Sequence, residues 1–410
     1  FEMANIRNQC SWVHATDPDK ATEKAKDLVR MAVAKVGLLE PLAEPVLEIN
    51  QSALVIGGGI AGMAAAKTLS GQGYHTYLIE KNASLGGQAR LLHETWRGED
   101  IQKNLARLIE DVESDKNIDL RLNTEIKKVD GFVGNFETTV QMNGNEETLK
   151  HGVTIIASGA SEFKPDAYLY TKDPRVLTGL ELDQKLIEDD SSIQQMKSAV
   201  FIQCVGSRIP ERPYCSKVCC THSVKNALKL KEINPDMDIF ILHRDIRTYG
   251  LREDLYREAR EKGIQFVRYD FDKELTVDQD KEDIRIRFTD TTLRRKLEIR
   301  PDLLVLAAAI VPQKENPLAQ MFKVTLNDDG FFVEAHVKLR PVDCATDGVF
   351  ICGLAHAPKP VDESIAQAQA AATRAVTLLA KETVQVSGTI AEINPMFCSS
   401  CGVCIEICPY

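Results

Sequence analysis

The sequence predicts an α/β chain built on one or two doubly wound parallel sheets. Three observations carry this. A complete strand, glycine loop, helix and strand unit occupies residues 52–80, further short apolar strands alternate with helices as far as residue 351, and 410 residues leave room for two or three domains.

Taken in order, residues 1–19 carry Cys10, Trp12 and His14 without a clear period, and their fold is not legible. From Ala21 to Leu39 the apolar Leu28, Met31, Ala32, Val36 and Leu39 recur at helical spacing among Lys and Glu, then Pro41 and Pro45 stop the pattern. This predicts an amphipathic helix and a linker. Residues 52–56 predict a buried strand that runs into GGGIAGM and a helix through about Leu69, and His75–Ile79 predicts a second strand ending at Glu80. Further strands are expected at Thr154–Ala157, Ala199–Gln203, Asp238–Leu242, Ile264–Val267, Ile284–Phe288, Leu303–Leu306 and Val349–Ile351. A small-residue helix is expected from Ser364 to Ala375.

Composition narrows the function. Hydrophobic residues make up 44% and charged residues 27%, values of a globular protein. Lys and Arg number 50 against 60 Asp and Glu, a net charge of −10 that argues against a nucleic-acid partner, since phosphates demand a basic face. No apolar run reaches the roughly 18 residues of a membrane span, and no charged-then-apolar leader opens the chain, so a cytoplasmic protein is expected. The start at Phe1 and the stop at Tyr410, two residues after a cysteine run, suggest a piece of a longer protein.

Gly57-x-Gly59-x-x-Gly62 gains weight from its setting, because it follows an apolar strand and opens a helix, with Glu80 at the end of the next strand. Gly57 suits the tight turn, Gly59 lets a pyrophosphate approach the backbone, Gly62 allows helix-on-strand packing, and Glu80 can bond a ribose hydroxyl. Eleven cysteines are present, and their clustering points to metal or redox chemistry rather than a disulfide scaffold. Cys204, Cys215, Cys219 and Cys220 surround one expected strand-to-helix turn with Arg208, Arg212 and Lys217 nearby. Four thiols so placed suit a [4Fe–4S] cluster, with a dithiol pair or structural zinc as alternatives. Cys398-x-x-Cys401-x-x-Cys404-x-x-x-Cys408-Pro409 is a bacterial ferredoxin run, in which the fourth cysteine ligates another cluster in two-cluster ferredoxins. Cys344 and Cys352 read as core residues.

Downstream of the first loop stand Lys81, Leu85-Gly86-Gly87-Gln88, Ala157-Ser158-Gly159 and Gly348-Val-Phe-Ile-Cys-Gly353. With the loop, these motifs resemble flavoproteins with two dinucleotide-binding (Rossmann-like) domains of the thioredoxin reductase type. The resemblance implies FAD held by Gly57, Gly59, Gly62, Glu80, Lys81, Gly87, Gln88, Ser158 and Gly159, with Gly353 and Lys359 near the isoalloxazine. It also implies a second domain inserted into the first. There Cys204-Val-Gly206 replaces the nicotinamide fingerprint, so NAD(P)H binding is not expected.

The segments FEMANIRNQCSWVH, CVGSR with YCSKVCC, and GLAHAPKPVDESIAQAQ resemble the iron–sulfur flavoprotein subunit of heterodisulfide reductase, a component of electron-bifurcating complexes. That resemblance implies an oxidoreductase subunit that passes electrons through FAD and [4Fe–4S] clusters. Its implied partners are a hydrogenase or dehydrogenase, ferredoxin and a disulfide-reducing subunit of one hetero-oligomer. Cys10 is implied as a cluster ligand, a free buried thiol being the alternative, and Lys359 as a charge near the flavin. The expected division is 1–50 as a remnant domain and linker helix, 51–165 and 301–385 as FAD-binding parts, 166–300 as the inserted domain with its cluster, and 386–410 as the start of a ferredoxin-like domain.

Overall fold

The computed structural model describes residues 1–42, 44–270, 275–385, 391 and 393–407. These form two compact units, Phe1–Leu47 with Thr383–Pro409, and Glu48–Glu382.

In the first unit, helix α1 (Pro18–Val36) begins three residues before the sequence pattern shows. Its start signal is Asp17, whose side chain accepts from the Lys20 N–H at 3.2 Å, with proline at the first helical position. No residue of α1 is buried. Ahead of it, Arg7–Ser11 forms one π-helical turn that buries Cys10.

The second unit opens with β1 (Ala53–Ile56), α2 (Ile60–Ser70) and β2 (Thr76–Ile79), followed by α3 (Ile101–Glu113) and β3 (Ile118–Arg121). An antiparallel meander comes next, β4 (Thr124–Phe132), β5 (Asn135–Met142) and β6 (Asn145–His151), and then the buried strand β7 (Val153–Ile156). The chain continues through β8 (Val176–Thr178), α4 (Gly179–Ile187), β9 (Ser198–Val205), α5 (Cys219–Ile233), β10 (Asp238–His243), α6 (Glu253–Glu261) and β11 (Gln265–Arg268). A second antiparallel group, β12 (Thr276–Asp280), β13 (Asp283–Asp290) and β14 (Arg295–Ile299), precedes β15 (Leu303–Ala308). Finally come β16 (Val349–Ile351) and α7 (Val361–Leu379).

Two five-stranded parallel sheets result, ordered β16-β7-β1-β2-β3 and β8-β15-β9-β10-β11. Their central strands are near-continuous apolar runs, as parallel strands covered on both faces must be. Over the first sheet α2 packs on α7 through small side chains, with Ala65, Ala66, Ala368, Ala371, Ala372 and Ala375 all fully buried. The second sheet interrupts the first between β7 and β16. Entry and exit are paired, since Ser161–Glu162 and Ile310–Val311 run antiparallel side by side.

Two expectations change. Leu303–Leu306 is expected with the FAD-binding part beginning at residue 301, but β15 lies between β8 and β9 in the second sheet. Its run LLVLA is buried throughout, which suits a strand flanked on both sides. The inserted segment therefore ends at the paired link near residue 311. Ile284–Phe288 is a strand, but of the antiparallel group rather than of a doubly wound sheet.

Candidate functional site

The turn after β1 is built around what its glycines lack. Gly57 has φ +110°, and a Cβ on Gly62 would stand 1.8 Å from the Gly57 carbonyl oxygen, so only glycine lets α2 start there. Gly59 differs: a Cβ on it would meet nothing within 4 Å, because it faces a cavity of about 800 Å³. That cavity is also lined by Gly57, Glu80, Lys81, Gly87, Gln88, Ser158, Gly159 and Lys359. Residues expected from separate motifs thus share one wall. Glu80, 7% exposed, accepts from the Gly58 N–H at 2.7 Å through one oxygen and from Asn82 N and Nδ2 at 2.8 and 2.7 Å through the other. It holds the loop as well as facing the cavity.

The donor set fits a dinucleotide. Buried Gln88 Oε1 and Ser158 Oγ have no protein partner, and both residues line the cavity. Thr221 Oγ1, on α5 of the second sheet's domain, is a third such atom in the same wall. An elongated ligand with polar groups along its length would satisfy all three.

Lys359 enters this cavity from the segment ahead of α7. Its Nζ donates to the carbonyl oxygens of Gly353 at 2.6 Å and Ala357 at 2.8 Å. Burial, and the neighbouring Lys217 charge, push its amine down to about 8. Behind it, His356 donates through Nε2 to Glu334 at 2.6 Å and accepts from Gln367 Nε2 at Nδ1, 2.9 Å. Gln367 Oε1 in turn accepts from the Gly353 N–H at 3.0 Å, so one network fixes the whole glycine turn.

The four thiols of the inserted domain converge. Cys204 is the last residue but one of β9, Cys215 lies in the following loop, and Cys219 and Cys220 open α5. Burial pushes the Cys204, Cys219 and Cys220 thiols up, and the nearby Cys215 adds to this at all three. Three receive N–H donors: Arg208 Nη1 reaches Cys204 Sγ at 3.8 Å, the Lys217 N–H reaches Cys215 Sγ at 3.3 Å, and the Arg247 N–H reaches Cys220. Cys219 lines the cavity that the glycine loop also lines. Among the described residues no three His, Cys, Asp or Glu side chains stand at the spacing of a single metal ion. A cube of four irons and four sulfides holds its thiolates further apart than one ion does, and four neighbouring thiols, three of them with N–H donors, supply the donor chemistry it takes.

Of the three cations expected here, Arg208 is in place. Lys217 instead pairs with Glu363, and Arg212 lays its guanidinium 4.1 Å over Phe163. Sequence reading missed Arg244 and Arg247, which approach the thiols from the end of β10, and Thr221. The signal for the arginines was the run His243-Arg244-Asp245-Ile246-Arg247 directly after an apolar strand.

In the other unit, the Cys10 thiol donates to the Ala21 carbonyl oxygen at 2.6 Å, as an ordinary buried thiol does. Cys398, Cys401 and Cys404 are exposed, and Cys408 lies outside the described residues. Cys344 and Cys352 are fully buried, their thiols pushed up to about 12 by desolvation. Among the described residues no helix is long and apolar enough to cross a membrane.

Comparison with known proteins gives these matches. A family profile described as pyridine nucleotide-disulphide oxidoreductase matches residues 51–201. A CoB–CoM heterodisulfide reductase iron-sulfur subunit of Methanopyrus kandleri is 34% identical over 504 residues, covering 100% of this chain and 77% of its own. The corresponding subunit of the H2:CoB–CoM heterodisulfide,ferredoxin reductase of Methanothermobacter marburgensis is likewise 34% identical, with 100% and 76% covered. Both matched spans run to 504 residues against 410 here, so these relatives carry internal residues without a counterpart in this chain. Among solved structures, thioredoxin reductase from T. acidophilum has a TM-score of 0.56 at 14% identity, covering 80% of this chain and 97% of its own. Lactococcus lactis thioredoxin reductase also has a TM-score of 0.56, at 16% identity, with 80% and 99% covered. At such identities the likeness is one of fold.

Proposed function

This chain belongs to the family of CoB–CoM heterodisulfide reductase iron–sulfur subunits, oxidoreductases with a flavoprotein domain of thioredoxin reductase fold, and from that premise we propose that it exchanges electrons between FAD and iron–sulfur clusters within a multi-subunit complex. The observation that carries this is the shared cavity, which runs from the Gly57 loop to Lys359 and Cys219. In this reading the flavin site and the four-thiol site meet there through Cys219.

In this reading Gly59, Glu80, Lys81, Gly87 and Gln88 hold the dinucleotide, Ser158 and Gly159 face its middle, and Lys359 bounds its reactive end, while Gly353, which does not line the cavity, anchors the Lys359 amine through its carbonyl oxygen. Bound FAD supplies the two-electron chemistry, and a cluster on Cys204, Cys215, Cys219 and Cys220 the one-electron path. Lys359 keeps a positive charge, or a transferable proton, at Nζ on the cavity wall. The partners fitting this role are a hydrogenase or dehydrogenase, ferredoxin and a protein that reduces the disulfide, with bifurcation as the coupled outcome. Cys398, Cys401, Cys404 and Cys408 would hold outgoing clusters. Cys10 would be a ligand only if its bond to Ala21 gives way.

A disulfide reductase using Cys219 and Cys220 fits less well, because burial pushes both thiols up, Cys220 to about 11, away from the reactive thiolate. The test is anaerobic purification of the full chain with its co-eluting partners, and assay of flavin, iron and zinc. Cys204→Ala and Cys220→Ala should each lower iron by about four per chain relative to the parent. Zinc in place of iron, or full iron retention in both variants, would overturn the ligand assignment.

A further inference from the structure

Around the four thiols the fold collects more positive charge than neutral thiols need. Arg208 reaches Cys204 directly and is ion-paired with Asp245. Arg247 bonds the same carboxylate at 3.1 Å, and its charge is felt at Cys215. Lys217 is matched by Glu363 and adds little. Two guanidiniums share the one carboxylate of Asp245, so this trio carries a net positive charge beside the sulfurs, and the charge of a third guanidinium, Arg244, also acts on Cys204. Arg244 steadies the arrangement by donating through Nη1 to the Arg208 carbonyl oxygen at 2.7 Å.

The backbone is bent to make this arrangement. Cys204, Arg208 and Lys217 all sit in the left-handed region, at φ 62°, 58° and 62°. For residues that are not glycine, such strain is unfavourable and persists where surrounding contacts impose it. Here the strain aims Arg208 Nη1 and the Lys217 N–H at sulfur.

A four-iron cube on four thiolates carries two negative charges when oxidised and three when reduced. A fixed positive charge nearby stabilises both states and the more negative one further. We propose that Arg208 and Arg247, trimmed by Asp245, set the reduction potential of the group held by Cys204, Cys215, Cys219 and Cys220, raising it as a fixed counter-charge. This rests on the cluster reading above, and the arginines are positioning residues that act through sulfur.

The experiment is a dithionite titration of the full chain, anaerobic and with mediators, each reductant-derived electron entering as one added negative charge. The signal followed is the reduced-cluster EPR line that Cys204→Ala abolishes. Arg208→Gln should shift that midpoint to lower potential. Asp245→Asn should shift it to higher potential, with iron content unchanged in both. A merely structural role would not give opposite signs. Should Arg208→Gln lose iron, Asp245→Asn alone decides: a raised midpoint supports the inference, and an unchanged or lowered one overturns it. Iron at the parental level with neither midpoint moved refutes the charge assignment while leaving the cluster reading intact. An iron content that Cys204→Ala does not lower refutes both.

Discussion

Gly59 and Gly62 stand three residues apart and answer an added methyl group in opposite ways. Gly62→Ala drives Cβ into the Gly57 carbonyl, and overpacking of this kind should cost about 1–3 kcal/mol, read as a lower Tm of the FAD-free protein. Gly59→Val should leave that Tm unchanged and abolish FAD retention, because the side chain projects into the cavity; normal FAD binding would contradict the assignment of the loop. Lys359 gives a pH signature. Its amine binds a proton near 10.5 when unfolded and near 8 when folded, so between those values the unfolded chain binds more protons. Stability should then rise as pH climbs from 8 to 10.5, with a penalty of about 3 kcal/mol below that window. Lys359→Met should remove this rise, so its stability relative to the parent in denaturant titrations of FAD-free protein should be greater at pH 7 than at pH 10. The glycines, Glu80 and the cysteines were legible because each sits in a local pattern. Arg244 and Arg247 were not, because they meet the thiols only through the pairing of β9 with β10.

At the scale of elements, the first turn of α7 works as a clasp between the two sheets' domains. Asp362 bonds Arg252 at 2.9 Å and Trp96 Nε1 at 3.2 Å, and Glu363 accepts from Tyr249 Oη at 2.6 Å and pairs with Lys217. Arg252 is 8% exposed, so losing its partner strands a charge. Asp362→Asn with Glu363→Gln should cost about 1–3 kcal/mol and speed hydrogen exchange in residues 244–252 relative to β10; unchanged exchange there would mean that the clasp carries no load. The parallel strands were legible as short apolar runs. The meander β4–β6 was not, since its solvent face alternates Glu and Lys with the buried Phe136, Val140 and Leu149. One signal was available in Asn143-Gly144, both at positive φ, the mark of a tight hairpin turn.

Across the whole molecule, the absent nicotinamide fingerprint has a structural counterpart. A Cβ at Gly206 would meet Phe163 at 2.3 Å, and Arg212 lies 4.1 Å over that ring, so the turn after β9 packs against a side-chain stack where the fingerprint would carry its glycines. NADH and NADPH should leave the flavin oxidised in anaerobic stopped-flow mixing, while dithionite reduces it; rapid bleaching by either nucleotide would restore the disulfide reductase reading. The paired link at Ser161–Glu162 and Ile310–Val311 also bears on how the protein is made. Strand β7 ends at Ile156 and its outer neighbour β16 begins at Val349, and at 5–20 residues per second a ribosome needs roughly 10–40 s to supply the roughly 190 residues between them. During that interval the nascent first sheet shows an unpaired apolar edge while the inserted domain, whose five strands are all made before β16, can already close. Synthesis therefore runs ahead of the sheet that began it, and until β16 emerges that edge is open to pairing with a stranger.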